Sequence, residues 1–282
     1  MNLSQEDHDL YIPDSLPVDK ALDRTTHLGI GAHQDDLEFM ALHGILSCFQ
    51  KKDCWFGGVT CTDGAGSSRT GAYAHFNDDE MKTVRVEEQK TAAKIGQFSF
   101  AAQLGHPSSH AKSSDERKSL VEDIKNILQT ARPQIVYTHN PFDKHATHIG
   151  IMLATLTAIR ELPKEARPQK LFGCEVWRAL DWLPDSAKSI HDVSAHPNLA
   201  ASLNGVFDSQ ITGGKRYDLA VEGRRLANAT FFDSHSVDDA NRVQYAIDLS
   251  ELISEETLLE DFMQEKLTQF NHEIFNQLKN LL

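Results

Sequence analysis

The sequence predicts an α/β protein: a Rossmann-like, three-layer fold with a mostly parallel sheet, followed by a mainly helical C-terminal extension. Two observations predict it. Between residues 25 and 180, short apolar runs of strand length alternate with longer runs whose apolar residues recur at helical spacing. Each strand-like run also ends in a polar loop, and open α/β sheets bind ligands beyond the carboxyl ends of their strands. Strand–helix–strand alternation implies right-handed crossovers and parallel pairing. A sheet covered on both faces wants short, apolar strands, which this sequence supplies.

Taken in order, residues 1–24 read as an irregular leader, because Pro13 and Pro17 interrupt regular structure. Residues 27–32 form a short buried strand. Residues 37–51 form a helix, with Leu37, Met40, Ala41, Ile45 and Phe49 on one face. Strands follow at 54–61, 98–104, 134–139 and 171–176, separated by helices at 79–95, 114–131 and 145–161. The helix at 114–131 opens on a serine cap and stops near Pro133. The segment 25–180 is thus the expected catalytic domain. After residue 180 the alternation weakens: 197–209 and 214–233 look helical, 242–249 strand-like, and 255–281 a long amphipathic helix. This extension, residues 181–282, is expected to pack on the same domain.

Composition removes several classes of function. The chain has 282 residues, of which 40% are hydrophobic and 24% charged, as in ordinary soluble proteins. Its net charge of −13 comes from 28 Lys+Arg against 41 Asp+Glu, so nucleic acid is not an expected partner. Cys48, Cys54, Cys61 and Cys174 make no Cys-x-x-Cys pair and read as reduced thiols of a cytoplasmic protein. The N-terminal residues lack the basic and apolar regions of a secretory signal. No apolar run approaches the roughly 18 residues that span a bilayer, so no membrane association is expected. Sheet edges and the acidic C-terminal helix offer surfaces for a homo-oligomer.

Four polar segments follow the first four strands: His33-Gln34-Asp35-Asp36, the stretch from Thr62 to Gly71, Gly105 to His110, and Thr138 to His145. Adjacent parallel strands would bring them to one rim. His33 and Asp36 are three apart, as are His145 and His148, so each pair can face one way at a helix start. Imidazoles and one carboxylate make a three-point metal site with positions left for water and substrate, the open arrangement of catalytic zinc. Asp35 remains beside the ion as a proton acceptor. Two His and one carboxylate suit Zn2+, Fe2+ and other divalent ions alike. A non-haem iron oxygenase and a non-catalytic small-molecule binding module are the competing readings. The oxygenase chemistry is more at home on an all-β scaffold.

Other features carry less. Residues 57–71 hold five of the chain's 16 glycines but neither nucleotide-binding glycine pattern, so they read as an active-site lid with Arg69 at the surface. Trp177 can stack on a sugar and Arg178 can bind a carboxylate; both can equally pack the extension onto the core. His75, His106, His110, His139, His191, His196 and His235 have no ligand-like spacing and read as exposed or structural, with His106 and His139 near the expected rim.

The segment Gly31-Ala32-His33-Gln34-Asp35-Asp36-Leu37-Glu38 resembles the Ala-His-Pro-Asp-Asp-Glu signature of the LmbE-like, or PIG-L, de-N-acetylases. The likeness continues in order over residues 27–178, through Thr62-Asp63-Gly64, Arg85-Val86-Glu87-Glu88 and Asp143-Lys144-His145-Ala146-Thr147-His148. The resemblance implies a zinc hydrolase that removes the acetyl group from an N-acetylglucosamine-type sugar or glycoconjugate. It implies His33, Asp36 and His148 as metal ligands, Asp35 as general base, His145 at the oxyanion, and Arg85 on sugar hydroxyls or a phosphate-like group. Gln34 replaces the usual proline. Thr147 replaces an aspartate that would support His145, and Asp143 is the expected substitute. After the third strand, His106-Pro107-Ser108-Ser109 lacks the aspartate that many members direct at the sugar.

Overall fold

The computed structural model describes residues 3–66 and 69–282. In chain order its first elements are β1 (Asp9–Tyr11), α1 (Val18–Asp23), β2 (His27–Gly31), α2 (Asp36–Met40), α3 (Leu42–Cys48), β3 (Phe56–Thr62), α4 (Asp78–Ile95) and β4 (Phe100–His106). Next come α5 (Ser108–Lys112), α6 (Arg117–Ala131), β5 (Ile135–His139), α7 (Ala146–Arg160) and β6 (Lys170–Cys174). The chain closes with β7 (Ser189–Asp192), α8 (Pro197–Gly205), α9 (Asp208–Ile211), α10 (Tyr217–Thr230), β8 (Val243–Asp248) and α11 (Leu259–Leu281).

The strands form one sheet in the order β1-β4-β3-β2-β5-β6-β8-β7. The central five are parallel, while β1, β8 and β7 add antiparallel edges. From β2 the chain winds outward to β3 and β4, then returns to place β5 and β6 on the other side. The gap between the ends of β2 and β5 is therefore the topological switch point, where such sheets open a crevice.

Two apolar layers cover the sheet. Leu28 and Ile30 of β2 face a core shared with α1, α6 and α7. The opposite core gathers α2, α3, α4 and α8 around Phe56, Phe98 and Tyr137. On that face β2 carries Gly29 and Gly31. A Cβ on Gly31 would stand 3.0 Å from the Asp36 Cβ, so the bare backbone lets α2 press against the strand end.

The predicted three-layer, mostly parallel fold is what the chain forms, with three differences. The leader is not wholly irregular. β1 pairs with the edge of β4, and Pro17 caps α1 from a position where its missing N–H costs nothing. Ser4 tethers this segment by donating its N–H and hydroxyl to Asp123, at 2.9 and 2.7 Å. The single helix expected over 37–51 breaks at Ala41, whose φ of −109° and ψ of 21° leave the helical region. Edge strand β7, too short to show alternation, extends the sheet beyond β8. No helix among the described residues is long and apolar enough to cross a membrane.

Candidate metal centre

The chain leaves β2 at Gly31 and turns sharply into α2. Asp36 closes the turn: its Oδ2 accepts from the N–H groups of Ala32 at 3.0 Å and His33 at 2.7 Å. Asp35, one residue earlier, has φ 102° and ψ −29°, in the left-handed region that a non-glycine residue rarely occupies. Such a conformation costs on the order of 1–3 kcal/mol and persists only when its surroundings impose it. The consequence here is that the two adjacent carboxylates diverge. Asp36 Oδ2 turns in toward the end of β2, while Asp35 feels the charge of Arg85; both residues line the cavity.

The second half comes from the β5–α7 connection. Asp143 Oδ1 accepts from the His145 N–H at 3.0 Å, shaping the turn that starts α7. The first turn of that helix then carries His148 under the end of β2. His148 Nδ1 lies 3.3 Å from Asp143 Oδ2, which leaves Nε2 facing outward.

His33 Nδ1, Asp36 Oδ2 and His148 Nε2 form a nearly equilateral triangle. His33 lies 3.3 Å from Asp36 and 3.3 Å from His148, and Asp36 lies 3.5 Å from His148. Zinc bonds to nitrogen and oxygen of about 2.0–2.1 Å in tetrahedral geometry require donors about 3.4 Å apart. The donor set therefore fits a divalent ion in size and in chemistry. Ligand atoms of His33, His145 and His148 also cluster within 4.8 Å, as do those of Asp36, His139 and His148.

Electrostatics match this geometry. Burial opposes the Asp36 charge, but His148, His139 and His33 hold its carboxyl well below the usual range. Burial also opposes the His148 charge, and Asp36 and Asp143 nevertheless raise its pKa. Asp35 goes the other way: burial and then the neighbouring Asp36 charge raise it well above an ordinary aspartate, against the pull of Arg85. Burial and the His148 charge lower His145 to about 4, so it is a neutral imidazole near pH 7.

His33, Asp35, Asp36 and His145 line a cavity of about 510 Å3. Arg85 borders this cavity but is almost wholly buried. It donates to the Gly64 carbonyl and, at 3.3 Å, to Gln210 Oε1, while its Nε has no partner. Gly64 has φ +75°, and a Cβ there would press on Gln34 and lie 2.9 Å from Arg85 Cδ. Gln34, at the position of the usual proline, ties the turn to neighbouring strands by donating to the Thr62 carbonyl and Gln103 Oε1, at 3.3 and 3.2 Å.

Residues 28–159 match the PIG-L family, described as GlcNAc-PI de-N-acetylase. The segment 28–159 is thus similar to the PIG-L family, and the match does not extend over the rest of the chain. The curated proteins contain no match to it. Solved structures with the same fold include the N,N'-diacetylchitobiose deacetylase from Pyrococcus horikoshii, at 14% identity, covering 89% of this chain and 93% of that one, with a TM-score of 0.65. The conserved protein TT1542 from Thermus thermophilus shares 17% identity over 79% of this chain and 94% of its own, with a TM-score of 0.61. The 4-carboxy-2-hydroxymuconate hydratase from Pseudomonas putida shares 15% over 80% and 95%, also at 0.61. One is named a deacetylase and another a hydratase, so the fold alone leaves the chemistry open.

His33, Asp35, Asp36 and Arg85 border one cavity, as the sequence pattern suggests, and His145 lines it too. Asp143 does not take over the support of the His145 ring: it binds that residue's backbone and the His148 ring instead. His145 Nδ1 and Thr147 Oγ1 are buried without partners, and the ring lies over Trp177 with centroids 6.0 Å apart. His106 is not at the rim but buried against Asp123 at 2.8 Å. Arg69 stays within its own loop, donating to the Ala65 carbonyl at 2.8 Å and pairing with Asp78, while Ser67 and Ser68 lie outside the described residues.

Spacing alone missed His139. Its Nε2 accepts from the Ala32 N–H at 3.0 Å and stands 3.4 Å from Asp36, and its ring stacks on His148 at 3.8 Å. The available signal was its place at the carboxyl end of the strand beside β2. The helix expected over 214–233 forms as α10, but its place was not foreseen: it walls the cavity with Tyr217, Ala220, Val221 and Arg224. Trp177 lines the cavity, whereas Arg178 is exposed outside it.

Proposed function

We propose that this protein is a metal-dependent N-deacetylase that removes the acetyl group from an N-acetylglucosamine-type sugar or glycoconjugate. The observation that carries this reading is the donor triangle of His33, Asp36 and His148 with the strained Asp35 beside it at the end of a sugar-sized cavity. The PIG-L description and the diacetylchitobiose deacetylase with the same fold support the substrate class. The α/β architecture also leaves the oxygenase reading without its usual scaffold.

In this mechanism His33 Nδ1, Asp36 Oδ2 and His148 Nε2 would hold the ion, with zinc the expected metal. Such an ion supplies a Lewis acid for the acyl carbonyl and lowers the pKa of bound water to about 7. Asp35 takes the proton from the attacking water. Its burial and the nearby Asp36 charge make it a stronger base than a free aspartate. The same carboxyl then returns the proton to the departing amine as the amide C–N bond breaks. His145, neutral near pH 7, donates a hydrogen bond to the carbonyl oxygen as negative charge gathers there. Arg85, anchored to Gly64 and Gln210, fixes the sugar's position.

The test is acetate and free-amine release from N-acetylglucosamine and its glycosides, before and after chelation. Turnover lost to a chelator and restored by Zn2+ is expected. Turnover indifferent to chelation, or zinc-loaded protein inert across N-acetylated sugars, would overturn the proposal.

A further inference from the structure

Asp35 holds its left-handed φ of 102° between two fixed peptide planes. On the C-terminal side, its carbonyl accepts the Phe39 N–H at 3.1 Å, the bond that opens α2. On the N-terminal side, the Gln34 carbonyl accepts from Gln210 Nε2 at 3.3 Å. A peptide unit is planar, so fixing that carbonyl fixes the plane from which the Asp35 φ is measured. Gln210 comes from α9, 176 residues farther along the chain and outside the matched segment 28–159.

The Gln210 amide uses both its ends. Oε1 accepts from Arg85 Nη2 at 3.3 Å, while Nε2 serves Gln34. Only one orientation satisfies both partners, because a guanidinium has no acceptor and a carbonyl has no donor. The side chain is 8% exposed, so loss of the amide leaves buried polar groups unpaired. Its backbone is held as firmly. Glu88 of α4, one turn on from Arg85, accepts from the Ser209 N–H at 2.7 Å and the Ser209 hydroxyl at 2.6 Å, and Ser209 is wholly buried. Phe207, just before α9, is buried in the opposite core. Thus α4 fixes α9, and α9 reaches back both to the arginine of α4 and to the turn after β2. Three segments far apart in sequence close one circuit of hydrogen bonds around the strained residue.

We propose that Gln210 is a positioning residue: its amide pins the Gln34 carbonyl, holds Asp35 in its left-handed conformation and so keeps His33 and Asp36 aligned for a metal ion. Its side-chain hydrogen bonds go to Gln34 and Arg85, not to a candidate ligand, so it acts through the turn. This deepens the deacetylase reading and rests on it for the use made of Asp35, though not for the pin itself.

The test is a double-variant cycle with Asp35→Gly, because glycine adopts a positive φ without strain and its turn needs no pin. Gln210→Met keeps the reach of the side chain and removes both donor and acceptor. In competition with a calibrated chelator, Gln210→Met should bind Zn2+ about tenfold more weakly than wild type, and the same change in the Asp35→Gly background should cost less than about twofold. A residue that merely packs the interior would cost the same in both backgrounds. The same proteins are then melted without metal. Loss of the pin lets Asp35 relax and recover its strain, so Gln210→Met should lower Tm by about 2 °C less in the wild-type background than in the Asp35→Gly background. Should Gln210→Met fail to fold, Gln210→Asn, one methylene too short to span Arg85 and Gln34, takes its place in both measurements. Equal losses in the two backgrounds, or wild-type zinc affinity in Gln210→Met, overturn the proposal. If wild type binds no zinc, the Tm cycle alone decides. The two readings stay apart. Unequal losses in protein that turns over no N-acetylated sugar support the pin and refute the deacetylase, whereas sugar turnover with equal losses does the reverse.

Discussion

His33 Nδ1 and His148 Nε2 stand 3.3 Å apart although 115 residues separate them in the chain. Neither is near the other until β2 and β5 lie side by side in the sheet. Their convergence on Asp36 Oδ2 makes His148 the ligand whose loss should most weaken metal retention. His148→Ala, purified by gel filtration from metal-containing buffer, is expected to carry less than a tenth of the wild-type metal by elemental analysis. Full occupancy in that protein would refute the ligand assignment.

Asp35 combines strain with burial, so its removal should separate stability from activity. Asp35→Asn keeps the polar shape and tolerates the left-handed backbone; it should retain the metal and lose about 10²-fold in kcat. Asp35→Gly relieves the φ of 102° and removes a buried charge, and a gain of about 1 kcal/mol would raise Tm by about 2–4 °C. A Tm below wild type in the glycine variant would show that the turn is not strained. Wild-type turnover in the asparagine variant would remove Asp35 from the proton path.

His139 is expected to hold the candidate ligands in place from behind rather than to bind the ion. It stacks on His148 at 3.8 Å and accepts from the same Ala32 N–H that steadies Asp36. Removing such outer support commonly weakens metal binding about 10–100-fold. His139→Ala should show a loss of that size in competition with a calibrated chelator. Unchanged affinity would reduce the residue to packing.

Acid stability should depend on three histidines on the opposite core. His43 contacts Tyr137 OH at 3.1 Å and His191 with ring centroids 4.1 Å apart, and His27 stacks on Tyr137. Burial, and then the charge of His43, lowers His27 to about 4 and His191 to about 3. Burial lowers His43 too, opposed by Asp192, and Asp248 opposes the shift of His191. The unfolded chain therefore binds these protons first. Stability is fully present above about pH 6.5 and declines as pH falls toward 4 and then 3, by up to roughly 1.4 kcal/mol per pH unit for each imidazole. In metal-free protein, His191→Phe should flatten the fall of Tm below pH 6.5. An identical pH profile in that variant would disprove the contribution.

The sequence by itself determined the order of elements in the parallel core, because alternating apolar runs encode strands and helices locally. It also marked His33, Asp36, His145 and His148, since each pair lies within one turn and local spacing is visible in the chain. The irregular reading of residues 1–24 failed because β1 exists only by pairing with β4, and a three-residue strand has no pattern of its own. Tertiary structure alone decided the divergence of Asp35 from Asp36, which depends on a backbone angle imposed by the packed turn. It alone brought His139 under His148, because neighbouring strands, not neighbouring residues, set that contact. The same holds for α10: a stripe of Tyr217, Val221 and Arg224 looks like any amphipathic helix until the fold lays it along the cavity. The candidate ligands His33, Asp36 and His148 were thus legible in the chain, whereas the cavity wall of α10 was decided by long-range packing, which no local pattern records.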